Sequence, residues 1–299
     1  MAHNHHHTPA ADNERRLLWA MLLIGSFMVV EAVGGILSGS LALLADAGHM
    51  LTDTASLALA WLAARTARRP ADALRTYGYY RIQILAALLN GAGFIVLVGW
   101  IAFEAVQRLM QPVEVMGGMM LVVALIGLLV NLVAFAILHG GSGQDLNLRG
   151  ALVHVLGDLL GSVAAISAAG VILLTGWMPI DPLLSLLVAL LILRSAWYVV
   201  RHSSHILLEG TPEDVDVERL RSTLTEAVPA VQDIHHIHVW SLTPERPLLT
   251  MHVRVAEASD AAAVLAALKH ILIERFAIRH STIQIEPGHC FDESGDGPH

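Results

Sequence analysis

The sequence predicts an all-α membrane domain of six transmembrane helices followed by a small cytoplasmic α+β domain, and three observations predict it. Only 15% of the 299 residues are charged while 55% are hydrophobic, whereas a water-soluble domain carries about 25% charged residues. The apolar residues gather into six long runs, at 17–37, 41–64, 82–110, 115–138, 151–175 and 180–200. Each is long enough for a hydrocarbon core about 30 Å thick, which takes roughly 20 apolar residues per helix. After about Glu209 the hydropathy falls and short alternating segments replace the runs. The expected organisation is a His-rich tail at 1–16, the six-helix domain at 17–208, a cytoplasmic domain at 209–290, and a disordered tail at 291–299.

The water-soluble part predicts a helix over about 213–228, then two strands, IHHIHVWSL and LLTMHVRVA, joined by the Pro-bounded turn TPERP. A helix over about 259–276 and a last strand, STIQIE, complete an αββαβ order. That order suits a ferredoxin-like or metallochaperone-like sheet. Strict alternation along the first strand puts His236, His238 and Trp240 on one face and His235, Ile237 and Val239 on the other.

A net charge of -8 and the lack of a basic block argue against nucleic acid as a partner. Cys290 is the single cysteine, so no intramolecular disulfide forms and a reducing compartment fits the C-terminal domain. The polar start MAHNHHHTPAADNERR and the full-length first apolar run do not read as a cleaved signal peptide. Arginines set the orientation. Arg15 and Arg16 precede the first run, Arg65, Arg68, Arg69, Arg75 and Arg81 crowd the second connection, Arg149 flanks the fourth, and Arg201 follows the sixth. The odd-numbered connections hold little besides Arg108 near one span end, so both termini are expected in the cytoplasm.

Ionisable groups inside spans carry the chemistry, because an Asp at a span centre costs about 2.5–3.5 kcal/mol even on lenient insertion scales. The second run contains Asp46, His49 and Asp53, and the fifth contains His154 and Asp158. His-x-x-x-Asp thus occurs twice. Four residues advance about 6 Å and turn about 400° on a helix, so both side chains share one face. Two such faces brought together supply two imidazoles and two carboxylates, a tetrahedral set that Zn2+ accepts at about 2.0–2.2 Å. The carboxylates also cancel the dication's charge. One such pair alone reads as readily as a helix-packing hydrogen bond; its duplication on two spans favours a metal. An intramembrane zinc protease would need His-Glu-x-x-His, which is absent.

Asp46 reads either as a hydrogen-bond acceptor behind His49 or as a residue at the membrane edge. Glu31, Asn90 and Asn131 read as interhelical hydrogen-bonding groups in preference to the lining of a wet approach. The tail histidines His3, His5, His6 and His7 read as a metal-gathering segment.

The segments SGSLALLADAGHMLTDTA, YGYYR, HVLGDLLGS, LRSAW, HHIHVWSL and HSTIQIE, with the His-rich start, resemble the cation diffusion facilitator family, in particular its bacterial zinc-exporting branch. The resemblance covers nearly the whole chain. It implies a homodimeric antiporter of the bacterial inner membrane. This would exchange cytoplasmic Zn2+, with Cd2+ as a second cargo, for protons by alternating access and confer zinc resistance. It places the transport ligands on His49, Asp53, His154 and Asp158, the residues chosen by spacing. It implies that a His at the first of these positions goes with zinc preference. It also implies a charge pair between Arg81 and Glu209, and a regulatory zinc site on His235, His252, His280 and Glu286, to which Cys290 could add a thiolate. Where some relatives hold a metal in the second connection, this chain has Asp72, Arg75 and Tyr79. A guanidinium does not coordinate a cation, so no metal is expected there. A metal-gated sensor or passive channel is the competing class, but a channel needs a continuous polar lining or weak stacked sites. A metallohydrolase needs an open coordination position, and four protein ligands leave none.

Overall fold

The computed structural model describes residues 9–139, 146–288 and 290. The His3, His5, His6 and His7 cluster and the 291–299 tail lie outside them. The described chain forms two compact units, one of Met1–Leu59 with Asn90–Tyr198 and one of Ala60–Leu89 with Val199–His299.

The helices are α1 (Pro9–Ser38), α2 (Leu41–Ala67), α3 (Arg81–Met110), α4 (Gly117–His139), α5 (Leu146–Thr175) and α6 (Ile180–Leu207). Five of them are long and apolar enough to cross a membrane. The exception is α2: its 27 residues include Asp46, His49 and Asp53, so the groups that carry the chemistry dilute its hydropathy. Large apolar side chains such as Trp19, Ile36, Val96 and Leu160 stand exposed on these helices, as lipid-facing residues do.

Within the first unit α4 packs along α1 and α5, and small residues set how closely they approach. A Cβ added at Gly34 would come within 2.6 Å of Val123, and one at Gly127 within 2.8 Å of the Phe27 ring. Phe27, Met120, Ala165 and Ala169 belong to the buried cluster between them.

The second unit contains α7 (Val217–Ala227), β1 (Val231–Thr243), β2 (Arg246–Val255), α8 (Ala261–Phe276) and β3 (His280–Glu286). This is the predicted αββαβ order. The central strand β2 pairs antiparallel with β1 and parallel with β3. Both helices start on an aspartate whose side chain accepts two backbone N–H bonds, Asp216 for α7 and Asp260 for α8, caps of the kind worth about 1 kcal/mol each. Ile234, Leu249, Met251, Val253, Leu268 and Leu272 fill the core under the sheet. Each such fully buried side chain contributes about 1.5–3 kcal/mol.

The strict alternation expected of β1 does not hold. The register slips between His235 and His238, and His236 has a positive φ of 49°. This bulge inserts an extra residue, so Ile234 and Val239, an odd number apart, both enter the core. His236 is thereby turned toward His235 and His252, with ring centroids at 5.2 and 4.9 Å.

Candidate metal centres

The first candidate centre lies within the helical unit. His49 and Asp53 share one face of α2, and His154 and Asp158 share one face of α5, as the four-residue spacing requires. Asp53 Oδ2 lies 3.6 Å from His49 Nε2 and 3.5 Å from His154 Nε2, and His154 Nε2 lies 3.7 Å from Asp158 Oδ2. The two imidazole centroids are 6.1 Å apart. Ligands of a tetrahedral zinc with bonds near 2.05 Å stand about 3.3 Å from one another. The four side chains are therefore close to that spacing, and a carboxylate from one helix already reaches the imidazole of the other. Asp158 is buried, and its Oδ2 makes no hydrogen bond among the described residues. The Phe94 ring of α3 closes on His49 at 5.9 Å.

Other polar groups support this arrangement. Glu31 of α1 is buried, and a Cβ at Gly161 of α5 would lie 3.8 Å from both Asp46 oxygens. Ser56 donates to Asn90, and Asn131 donates to Ser162 at 3.3 Å, so both asparagines make the interhelical bonds expected of them. Sequence reasoning missed Asp181. Fully buried on α6, it accepts from Ser40 Oγ at 2.6 Å and from the N–H groups of Leu41 and Ala42 at 2.7 and 3.2 Å. It thus caps α2 from a distant part of the chain, with Arg108 4.0 Å away. An acidic residue at the start of an apolar run was the available signal; its partners, some 140 residues earlier, were not.

The second candidate centre lies on the sheet. His235 faces His252 across β1 and β2, and Glu286 ends β3 beside Arg254. Glu286 Oε2 is 3.1 Å from His235 Nε2, and its Oε1 is 3.0 Å from His252 Nδ1. Cys290 Sγ is 3.6 Å from the same His252 nitrogen. One ligand atom from each of these four residues lies within 4.8 Å of the others. Two imidazoles, a carboxylate and a thiol suit a tetrahedral zinc. Burial pushes the Glu286 carboxyl upward. Hydrogen bonds from Gln284 and Cys290, with the charges of His235 and His252, outweigh that and hold it below the usual carboxylate range.

His280 is not brought to this cluster. It starts β3, opposite Leu248, while Glu286 ends it. Six residues of strand separate them by roughly 20 Å. Its ring instead meets Tyr77 at 6.0 Å. Cys290 stands where four-coordination needs a further ligand. In the second connection, the Tyr79 hydroxyl donates to Asp72 at 2.6 Å and Arg75 lies 4.9 Å over the Tyr79 ring. The Tyr79 bond, with those from the Arg75 and Leu74 N–H groups, holds the Asp72 carboxyl below its ordinary value. Arg81 and Glu209 form the expected ion pair at 3.0 Å.

Long apolar helices with a cluster of metal-ligating side chains among them fit a multi-pass membrane protein that handles metal ions. The model of the cation efflux transmembrane domain matches residues 17–208, and that of the cation efflux protein cytoplasmic domain matches 212–288. The chain belongs to the cation efflux family, and is a transporter and not an enzyme. It is 50% identical to the zinc transporter ZitB of Pectobacterium atrosepticum over 98% of this chain and 91% of that one. It is 42% identical to the cadmium, cobalt and zinc/H(+)-K(+) antiporter of Bacillus velezensis over 96% of this chain and 92% of that one. The metal-bound C-terminal domain of the CzcD transporter from Cuprividus metallidurans matches 24% of this chain and 99% of that domain, at 37% identity and TM-score 0.23.

Proposed function

We propose that this protein exports Zn2+ from the cytoplasm in exchange for protons, with Cd2+ as a second cargo, by alternating access at His49, Asp53, His154 and Asp158. The observation that carries the reading is the Asp53 carboxylate, within 3.6 Å of imidazoles on two different helices. A single four-ligand site shared by two helices holds its ion until the helices move, as a carrier requires. The names of the Pectobacterium and Bacillus relatives support zinc as cargo and protons as the counter-ion.

Metal ligands bind in their deprotonated forms. Imidazole, with an ordinary pKa of about 6.5, exchanges a proton for the metal near working pH. Zinc entering from the cytoplasm displaces protons from His49 or His154, and protons arriving from outside compete it off once the site has turned. The protein acts as a homodimer in the bacterial inner membrane, with both termini in the cytoplasm. His235, His252, Glu286 and Cys290 would hold a regulatory zinc, which as a fourfold-held cation would tie β3 and the segment after it to the β1–β2 pair.

The test is zinc flux into proteoliposomes carrying a trapped dye, with and without an imposed pH gradient. Gradient-driven flux that vanishes in Asp53→Ala supports site and mechanism together. Flux that follows only the zinc gradient at every pH difference would replace exchange with a passive pathway.

A further inference from the structure

The second unit contains a cleft of about 700 Å³ whose lining is strongly basic in a chain of net charge -8. Arg68 and Arg69 come from the α2–α3 connection, Arg246 from the first position of β2, and Arg279 with His280 from the start of β3. Glu245 is the one acidic residue of the lining. Three other arginines of the unit have ionic partners, Arg81 with Glu209 and Arg221 and Arg254 with Asp233, while Arg65, Arg75, Arg201, Arg219 and Arg275 stand apart from the cleft and make no ion pair among the described residues. The four cleft arginines make no ion pair among the described residues, although they come from three separate segments of the chain. Like charges converge in this way only where an anion offsets their repulsion or where water alone screens them.

The cleft is also ordered in ways a merely solvated face does not need. The Arg246 guanidinium lies 3.9 Å over the Tyr80 ring, a stacked placement that fixes the plane of its N–H donors. Ala277 adopts a left-handed conformation with φ 55°, and this αL cap ends α8 just before Arg279. Tyr77 and His280 meet edge to face on the same wall. A guanidinium held in a fixed plane, as that of Arg246 is, favours the bidentate geometry of phosphate oxygens. Arg68 and Arg69 directly follow the last residue of α2. Basic residues flanking a membrane helix are where anionic headgroups concentrate.

We infer that this cleft binds a phosphate-bearing anion, through Arg68, Arg69, Arg246 and Arg279. The shared chemistry is a doubly charged or diester phosphate, carried by a soluble phosphoanion or by an anionic lipid headgroup. The test uses the full-length protein and the double variants Arg246→Gln/Arg279→Gln and Arg68→Gln/Arg69→Gln, which alter exposed side chains on different segments. Inorganic pyrophosphate is titrated by calorimetry in neutral detergent at two salt concentrations. In parallel, thermal midpoints are compared in phosphatidylcholine nanodiscs with and without phosphatidylglycerol. Saturable pyrophosphate binding, weakened at least tenfold in both variants, assigns a soluble phosphoanion. A phosphatidylglycerol-dependent rise in midpoint that both variants lose, with no pyrophosphate binding, assigns a lipid headgroup. The inference is overturned if neither response depends on these arginines, or if each variant retains the wild-type response.

Discussion

At the scale of single residues, the imidazole of His49 and the carboxylate of Asp181 show how differently buried polar groups act. In the proposed site His49 contributes one of two nitrogens beside two carboxylates that would just neutralise a dication. Replacing it by Asp gives three carboxylates beside the one remaining imidazole and a loaded charge of -1; carboxylates bind through one oxygen or two, so the site loses the strict four-coordination that favours zinc over larger divalent ions. His49→Asp should therefore narrow the gap between zinc flux and flux of other divalent ions, cadmium in particular, measured in proteoliposomes with each metal alone. An unchanged metal profile would remove His49 from the selectivity argument. Asp181 touches no candidate ligand. It satisfies the Ser40 hydroxyl and two N–H groups at the start of α2, and an unsatisfied buried donor costs about 1–3 kcal/mol. Asp181→Ala should lower the thermal midpoint clearly, while Asp181→Asn, which keeps one acceptor oxygen, should lose less. Equal losses in the two variants would argue that charge toward Arg108, and not capping, is what Asp181 supplies.

At the scale of elements, the helical unit depends on how closely α1, α4 and α5 approach. The Phe27 ring occupies the place where a Gly127 side chain would begin, and overpacking of this kind typically costs about 1–3 kcal/mol. Gly127→Val should thus lower thermal stability in detergent, and pairing it with Phe27→Ala should recover part of the loss. No recovery would place the damage elsewhere on α4. The same scale shows what was legible in advance. The convergence of His49, Asp53, His154 and Asp158 was readable because four-residue spacing maps directly onto one face of a helix, and long apolar runs leave few alternative states. The strand ligands were half readable. His235, His252 and Glu286 converge, but the family resemblance also implied His280, whose position at the far end of β3 only the register reveals. The bulge at His236 broke the period-two rule that assigned faces along β1, and nothing in IHHIHV marks where an extra residue is tucked. Asp181 was hidden for a third reason, since its partners are distant in sequence and contiguous only in space.

At the scale of the whole molecule, two ligand clusters in one chain make metal binding and stability inseparable unless the sites are uncoupled. Any ion that binds the folded state alone stabilises it by about 2.7 kcal/mol at a hundredfold excess over its dissociation constant. For a chain of this size that corresponds to a midpoint rise on the order of 5–10 °C. Asp53→Ala removes the shared carboxylate of the helical site, so any zinc-dependent rise that remains in this variant belongs to the sheet cluster. Adding Glu286→Gln should abolish that remainder, because Glu286 contacts both imidazoles, while Cys290→Ala should reduce it. If the Asp53→Ala, Glu286→Gln double variant keeps the full rise, the sheet cluster is not a metal site. Acidity supplies an independent measurement that needs no metal. Burial pushes the Asp233 carboxyl up, yet the Arg221 hydrogen bond and the charges of His235, Arg221 and Arg254 leave it below its ordinary value of 3.8. A carboxyl with a folded-state pKa below its unfolded one adds stability that is complete above the unfolded value. That stability is lost as pH falls through the folded value. In zinc-free protein the thermal midpoint should therefore decline more steeply below about pH 4 in the wild type than in Asp233→Asn, and start higher at neutral pH. The reverse order would mean that Asp233 is strained by burial and not anchored by the arginines of α7 and β2, and parallel declines would remove it from the linkage between β1 and its neighbours.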